Sequence, residues 1–159
     1  MTIEYRELGP EDATLLAAAP DGLFDNAIDT QQMLAFLADE RHHIIVAVDT
    51  DAGAPIAFVS ANGYLHPDKR PQAWINELST LEGHRGRGIA TRLVRLMLDA
   101  LADRGYRQVW LGTEHDNEPA RAVYRKVMHE REGSEDEAVV VYEFPLHRGD
   151  SPGTAGDVG

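Results

Sequence analysis

HRGRGIATRL, residues 84–93, puts two glycines and three arginines into ten positions of a chain whose formal net charge is -12. An apolar, β-rich run, AWINELSTL at 73–81, precedes it, and a helical pattern through Leu93, Leu96, Met97, Ala100 and Leu101 follows. A strand, a glycine turn and a helix start, in that order, leave unpaired backbone N–H groups at the positive end of a helix dipole. Glycine also lets the chain turn tightly and lets a ligand approach the main chain. The combination makes a local anion site suited to a pyrophosphate, with Arg85 and Arg87 able to add charge. A plain turn with solvated arginines is the other reading of these letters. No Gly-Lys-Ser/Thr follows, so the loop is not of the Walker type, and it lacks the early-strand G-x-G-x-x-G of a dinucleotide fold.

Outward from this loop, residues 2–8 (TIEYREL) alternate as an opening strand. Residues 10–19 read as a helix entered through Gly9-Pro10, and Asp29 or Thr30 caps a second helix over QQMLAFLADE. HIIVAV (43–48) and IAFVSA (56–61) flank DTDAGAP, a hairpin signature. Gly105 sits where a C-cap glycine ends the helix after the loop. QVWL (108–111) is a short strand, residues 117–126 a short helix, and AVVVYEF (138–144) a final strand after the acidic link EREGSEDE. No repeat is present, and the order predicts one mixed α/β sheet layer with helices on its faces.

At 159 residues, with 43% hydrophobic and 26% charged residues, the chain suits a single globular domain. No apolar run is long enough for a membrane span, and MTIEYREL lacks the character of a signal peptide. With no cysteine there is no thiolate metal site, disulfide or cysteine nucleophile, which fits a cytoplasmic protein. The acidic balance argues against nucleic-acid or anionic-membrane partners and toward a cationic ligand, although excess carboxylate also simply keeps a protein soluble. His42-His43 lacks the partners of a metal site, so no metal is expected.

Arg85-Gly86-Arg87-Gly88-Ile89-Ala90 resembles the Q/R-x-x-G-x-G/A element of the GNAT superfamily of acyl-CoA N-acyltransferases. Asn117, Ala120 and Tyr124 resemble that superfamily's N-x-x-A-x-x-x-Y. The strand end also matches, with Thr80 five residues before Arg85. The resemblance covers residues 2 to about 146. A looser similarity, through Phe24-Asp25, His66-Pro67-Asp68-Lys69, Ile75-Asn76-Glu77 and Thr113-Glu114, points to the small aminoglycoside 3-N-acetyltransferases. One departure stands out: Val127-Met128 replaces the Gly-Phe that many members carry after the tyrosine. The resemblance implies one GNAT-like α/β (α+β) domain over residues 1–147. It also implies a mixed, mostly antiparallel central sheet of six to seven strands flanked by about four helices, with 148–159 a disordered tail.

The resemblance further implies acetyl-CoA as cosubstrate. Its pyrophosphate would lie on the amides of Gly86, Gly88, Ile89, Ala90 and Thr91, beside Arg85 and Arg87. Its pantetheine arm would run along Leu78, Ser79 and Thr80 as an added strand, with Asn117 on the other side. A backbone N–H near Thr80 would polarise the thioester carbonyl. The acceptor ammonium must lose a proton, and Glu77, Glu114 and Asp116, with Asp25 at the mouth, are the candidate carboxylates. A lone glutamate at about 4.3 is a poor base for an ammonium, so like-charge crowding would help. Tyr124 is the candidate donor to the leaving thiolate. Ordinary values of about 10 for tyrosine and about 8.5 for a thiol make full transfer uphill by roughly 2 kcal/mol, so a hydrogen bond to developing charge is the better description.

Plainer readings stand beside these. Tyr124 can be core packing, Glu114 and Asp116 can cap the helix after Asn117, and His115 reads as a surface histidine. The acids at 130–137 either line the acceptor mouth or are solvated. An acidic residue such as Glu77 inside an apolar strand is costly without a purpose. Three functions follow: an aminoglycoside 3-N-acetyltransferase, an N-acetyltransferase for a polyamine or a protein N-terminus or lysine, and a non-catalytic acyl-CoA-binding module. A homodimer is plausible from the resemblance alone.

Overall fold

The computed structural model describes residues 1–147, and the tail expected at 148–159 lies outside them. Its elements in chain order are β1 (Ile3–Glu7), a 3-10 turn (Pro10–Asp12), α1 (Ala13–Ala17), α2 (Thr30–Ala38), β2 (His42–Asp49), β3 (Ala54–His66), β4 (Lys69–Thr80), a second 3-10 turn (Glu82–His84), α3 (Ile89–Asp103), β5 (Gln108–Trp110) and α4 (Glu118–Glu130). The sheet order is β1-β2-β3-β4-β5, with three antiparallel pairs and one parallel pair between β4 and β5. No helix among the described residues is long and apolar enough to cross a membrane.

Local chemistry sets the boundaries. Asp29 caps α2, its carboxylate accepting the N–H of Gln32 at 2.9 Å. In the β2–β3 hairpin, Asp49 Oδ1 accepts the N–H of Asp51 at 2.9 Å, and Gly53 closes the turn at φ 67°. Gly105, at φ 90°, ends α3, and the Tyr106 N–H reaches back to the Leu101 carbonyl at 3.2 Å.

Strand alternation divides the core between the two faces. Ile45, Ala47, Val59, Ala61 and Ile75 face one way and pack with Ile89, Leu93, Met97 and Leu101 of α3. Ile44, Val46, Val48 and Phe58 face the other way, against Leu16 of α1 and Met33 and Leu37 of α2. Helix α4 lies against α3.

Two expectations are corrected. Among the described residues the sheet has five strands, not six or seven, because AVVVYEF forms no strand. Val139, Val140, Val141, Tyr142 and Phe144 are all exposed. β-Propensity is chiefly a preference for packing against neighbouring strands, and this run has none. The free edge of β5 offers only three residues. The acidic link is drawn instead onto α4, where Arg121 and Arg125 each meet Glu135 at 2.8 Å and 2.7 Å. The second correction is that α4 continues past 126 to Glu130, whose carboxylate accepts from Arg95 Nε on α3 at 2.8 Å.

Gly63 on β3 provides a test of packing. A Cβ there would collide with Tyr106 Oη and with the two ring carbons next to it. The ring is held edge-on to His43, with centroids 5.8 Å apart, and has little freedom to retreat. Gly63→Ala is expected to cost about 1–3 kcal/mol of stability in denaturant unfolding. Tyr106→Ala in the same chain should abolish most of the additional loss.

Candidate functional site

The site begins where two strands separate. Gln72, Ala73 and Trp74 of β4 pair with Gln108, Val109 and Trp110 of β5, and there the parallel ladder ends. β4 stays bound to β3 as far as Thr80, whereas residues 111–116 leave the sheet. The outer edge of β4 from Ile75 to Thr80 therefore has no strand beside it. Trp74 and Trp110, the last pair of that ladder, are both exposed. An unpaired edge of this kind can take an extended ligand through main-chain hydrogen bonds.

At its far end this edge runs into the glycine loop. Gly86 and Gly88 sit at φ 74° and 76°, where only glycine is comfortable, and a Cβ on either would meet nothing within 4 Å. α3 starts immediately after Gly88 with no side-chain cap, so its first N–H groups are unclaimed by any capping residue. Arg85 Nε donates to the Thr80 carbonyl at 3.1 Å and so ties the loop to the strand end. Arg87 is exposed. Thr80 Oγ1 and His84 Nδ1 beside it are buried without hydrogen-bond partners. Open space around the glycines and uncapped amides at this spot fit the phosphates of acetyl-CoA.

A bulge sets the other half of the site. The β3–β4 register passes from Ala61 opposite Ile75 to Ser60 opposite Glu77, so β4 spends one extra residue, Asn76. Without it Glu77 would share a face with Ile75 and point into the α3 core; with it Glu77 joins Ser60 on the opposite face. There it lines a cavity of about 480 Å³ between the sheet and α1–α2. Phe24 and Phe58 stack in its wall with centroids 4.1 Å apart. Ser79 Oγ donates to the Leu23 carbonyl at 2.7 Å and anchors the segment carrying Asp25. Burial, and then the nearby Asp25 charge, push the Glu77 carboxyl above the ordinary glutamate range.

The other sequence candidates divide. Asn117 caps α4, its Oδ1 accepting the Ala120 N–H at 3.3 Å, which leaves its amide nitrogen free of that duty. Tyr124 is largely enclosed, and burial pushes its phenol above the usual value. Glu114, His115 and Asp116 are exposed on the loop after β5 and do not line the cavity with Glu77. The acids at 130–137 are taken up in part by ion pairs with Arg95, Arg121 and Arg125 rather than turned to the cavity.

Sequence reasoning missed His42, Asp39, Phe36 and Ser60 in the cavity lining, and Arg121, buried and bonded to the His115 carbonyl at 2.6 Å. The alternation of β2 carried a usable signal, since it places His42 on the same face as Ile44.

Residues 11–129 match the acetyltransferase (GNAT) family. The chain is 34% identical over 82 residues to N-alpha-acetyltransferase 30 of Schizosaccharomyces pombe (strain 972), covering 52% of this chain and 53% of that protein. It is 32% identical over 90 residues to streptothricin acetyltransferase of Streptomyces lavendulae, covering 57% of this chain and 44% of that one. The chain thus spans about half the length of the curated relatives it matches. Among solved structures, an aminoglycoside acetyltransferase from an uncultured soil metagenomic sample superposes with a TM-score of 0.75 at 23% identity, covering 92% of this chain and all of that one. At that identity the likeness is one of fold.

Two outcomes test this geometry. Gly88→Ala, despite the empty space around it, should lose about 1–2 kcal/mol because an L-residue is strained at that φ. Glu77→Gln should alter stability in a pH-dependent way. A carboxyl whose folded value is raised binds its proton more tightly when folded, so it favours folding at low pH and loses that favour as pH rises through the folded value. The variant should therefore melt higher than the parent at pH 7, and the gain should shrink toward pH 4; a constant difference across that range would remove Glu77 from its half-buried position.

Proposed function

The chain belongs to the acetyltransferase (GNAT) family, and on that premise we propose an acetyl-CoA-dependent N-acetyltransferase acting on a small cationic amine, foremost the 3-amino group of an aminoglycoside. The observation that carries this reading is the convergence of three features: a strand edge without a neighbour, an uncapped glycine-led helix start, and a half-buried carboxylate re-aimed by a bulge. The net charge of -12 favours capture of a cationic acceptor, with an attraction that salt weakens.

When bound, acetyl-CoA supplies an activated acyl thioester. The amides of Gly86, Gly88, Ile89, Ala90 and Thr91, with Arg85 and Arg87, hold the phosphates. The main chain of Leu78, Ser79 and Thr80 holds the arm, Asn117 steadies it from the opposite side, and an N–H near Thr80 polarises the carbonyl. Glu77, its affinity for protons raised, accepts a proton from the acceptor ammonium, directly or through water, and Asp25 reinforces the local negative charge. Glu114 and Asp116 attract the acceptor from the rim. The freed amine would form the C–N bond as the C–S bond breaks, its remaining surplus proton passing to the departing thiolate or to water. The Tyr124 hydroxyl donates to the departing sulfur, and its raised value suits a hydrogen-bond donor better than an outright acid. No enzyme-bound acyl group is required.

A second reading has its own support. The similarity to N-alpha-acetyltransferase 30, together with the phenylalanines around the cavity, fits a peptide N-terminal amine bearing an apolar side chain.

Thiol release from acetyl-CoA, measured against a panel of aminoglycosides, polyamines and peptides, should be fastest with an aminoglycoside. Exclusive use of peptides would transfer the assignment to the second reading, and indifference to every amine would overturn both. Tyr124→Phe should lower kcat on the order of 100-fold while coenzyme A affinity changes little; an unchanged kcat would remove Tyr124 from the chemistry.

A further inference from the structure

The cavity that holds Glu77 has a second polar end. Ile44, Ser60 and Glu77 stand side by side across β2, β3 and β4, and His42 lies two residues from Ile44 on the same face. Two strand spacings across and two residues along place the His42 and Glu77 Cα atoms about 12 Å apart. Both side chains line the cavity, with Ile44 and Ser60 on the wall between them.

Acid alone does not define this end. Asp29 is occupied as the cap of α2, and Asp39 accepts from Arg41 Nε at 3.0 Å and from its terminal nitrogen at 2.7 Å. His42 is different. Its Nδ1 is buried and makes no hydrogen bond, with Asp39 Oδ2 at 3.5 Å, although the side chain as a whole is 36% exposed. The exposed part of the side chain therefore excludes Nδ1, and the ring is among the groups lining the cavity. A carboxylate oxygen on the Nδ1 side favours the tautomer with its proton there, which leaves the Nε2 lone pair as an acceptor. Phe36 packs against the ring, with centroids 5.3 Å apart, and restricts its rotation.

We propose that His42, oriented by Asp39 and Phe36, is a specificity-determining residue that accepts a hydrogen bond from a second N–H or O–H donor of the acceptor, about 10 Å from the nitrogen received by Glu77. The inference rests on the reading of this cavity as the acceptor site. It narrows the acceptor to an elongated molecule with donors at both ends, such as a diamine, a polyamine or an amino sugar of more than one ring. A compact monoamine satisfies one end only.

The test compares the straight seven-carbon α,ω-diamine with the seven-carbon monoamine, by calorimetry, on the full chain. The parent should prefer the diamine about tenfold, as expected for one hydrogen bond to a charged donor. His42→Phe should reduce that ratio toward one, and His42→Gln, which keeps an acceptor, should restore part of it, with thermal melts confirming that both variants are folded. A ratio unchanged in His42→Phe, or no preference in the parent, overturns the proposal. Thiol release from acetyl-CoA, followed separately, reports on acetyl transfer itself, so loss of that reading and loss of the His42 subsite give different results.

Discussion

Beyond Trp74 the outer edge of β4 has no partner strand, and the functional reading depends on that loss. A strand held on one side only keeps alternate main-chain donors and acceptors in fixed positions, facing outward, without the cost of an edge created at random. The antiparallel ladder to β3 holds it in place while β5 turns away. The loop that follows then has to reverse direction within a few residues, and the two positive-φ glycines provide that reversal. Because α3 is anchored by buried Ile89, Leu93, Met97 and Leu101, its uncapped N-terminus cannot drift away from the strand end. Edge and cradle are thus one rigid surface, fixed by the same core.

The bulge at Asn76 performs a different task with the same strand. It lets β4 contribute Ile75 to one core and Glu77 to a cavity on the opposite face, two residues apart. A regular strand would have forced a choice between burying a carboxylate in the α3 core and giving it up. The positive patch of the opening motif is explained in similar terms. On the proposed reading Arg85 and Arg87 gather where an anion is held, while Arg95 of α3 and Arg121 and Arg125 of α4 pair with Glu130 and Glu135.

What the sequence disclosed were features with local causes. The glycine loop, the Asp29 cap, the Asp49–Gly53 turn and the Gly105 stop each follow from side-chain or φ preferences within a few residues, and each is present. The features that escaped depend on partners distant in sequence. AVVVYEF has the composition of a strand, but a strand exists only if an edge receives it. The extra turn of α4 depends in part on an ion pair to α3, thirty-five residues away. The bulge left no mark in the letters around Asn76, and His42 became visible only once α2 and β2 had closed a cavity around it. Glu77 was legible because acid in an apolar strand is conspicuous; Glu114 and Asp116 drew notice for proximity in sequence, and the fold leaves them exposed on the loop after β5.

The central claim is that a phosphate-bearing cosubstrate lies along the outer edge of β4 and ends on the start of α3. Backbone amide resonances followed during a coenzyme A titration test it most directly, since they report the main-chain groups themselves. The account predicts that the largest shifts fall on Leu78, Ser79 and Thr80 and on Gly86 through Thr91, with the remainder of the sheet nearly still. Saturating coenzyme A that leaves those amides unmoved, or that moves a different part of the molecule instead, would contradict it.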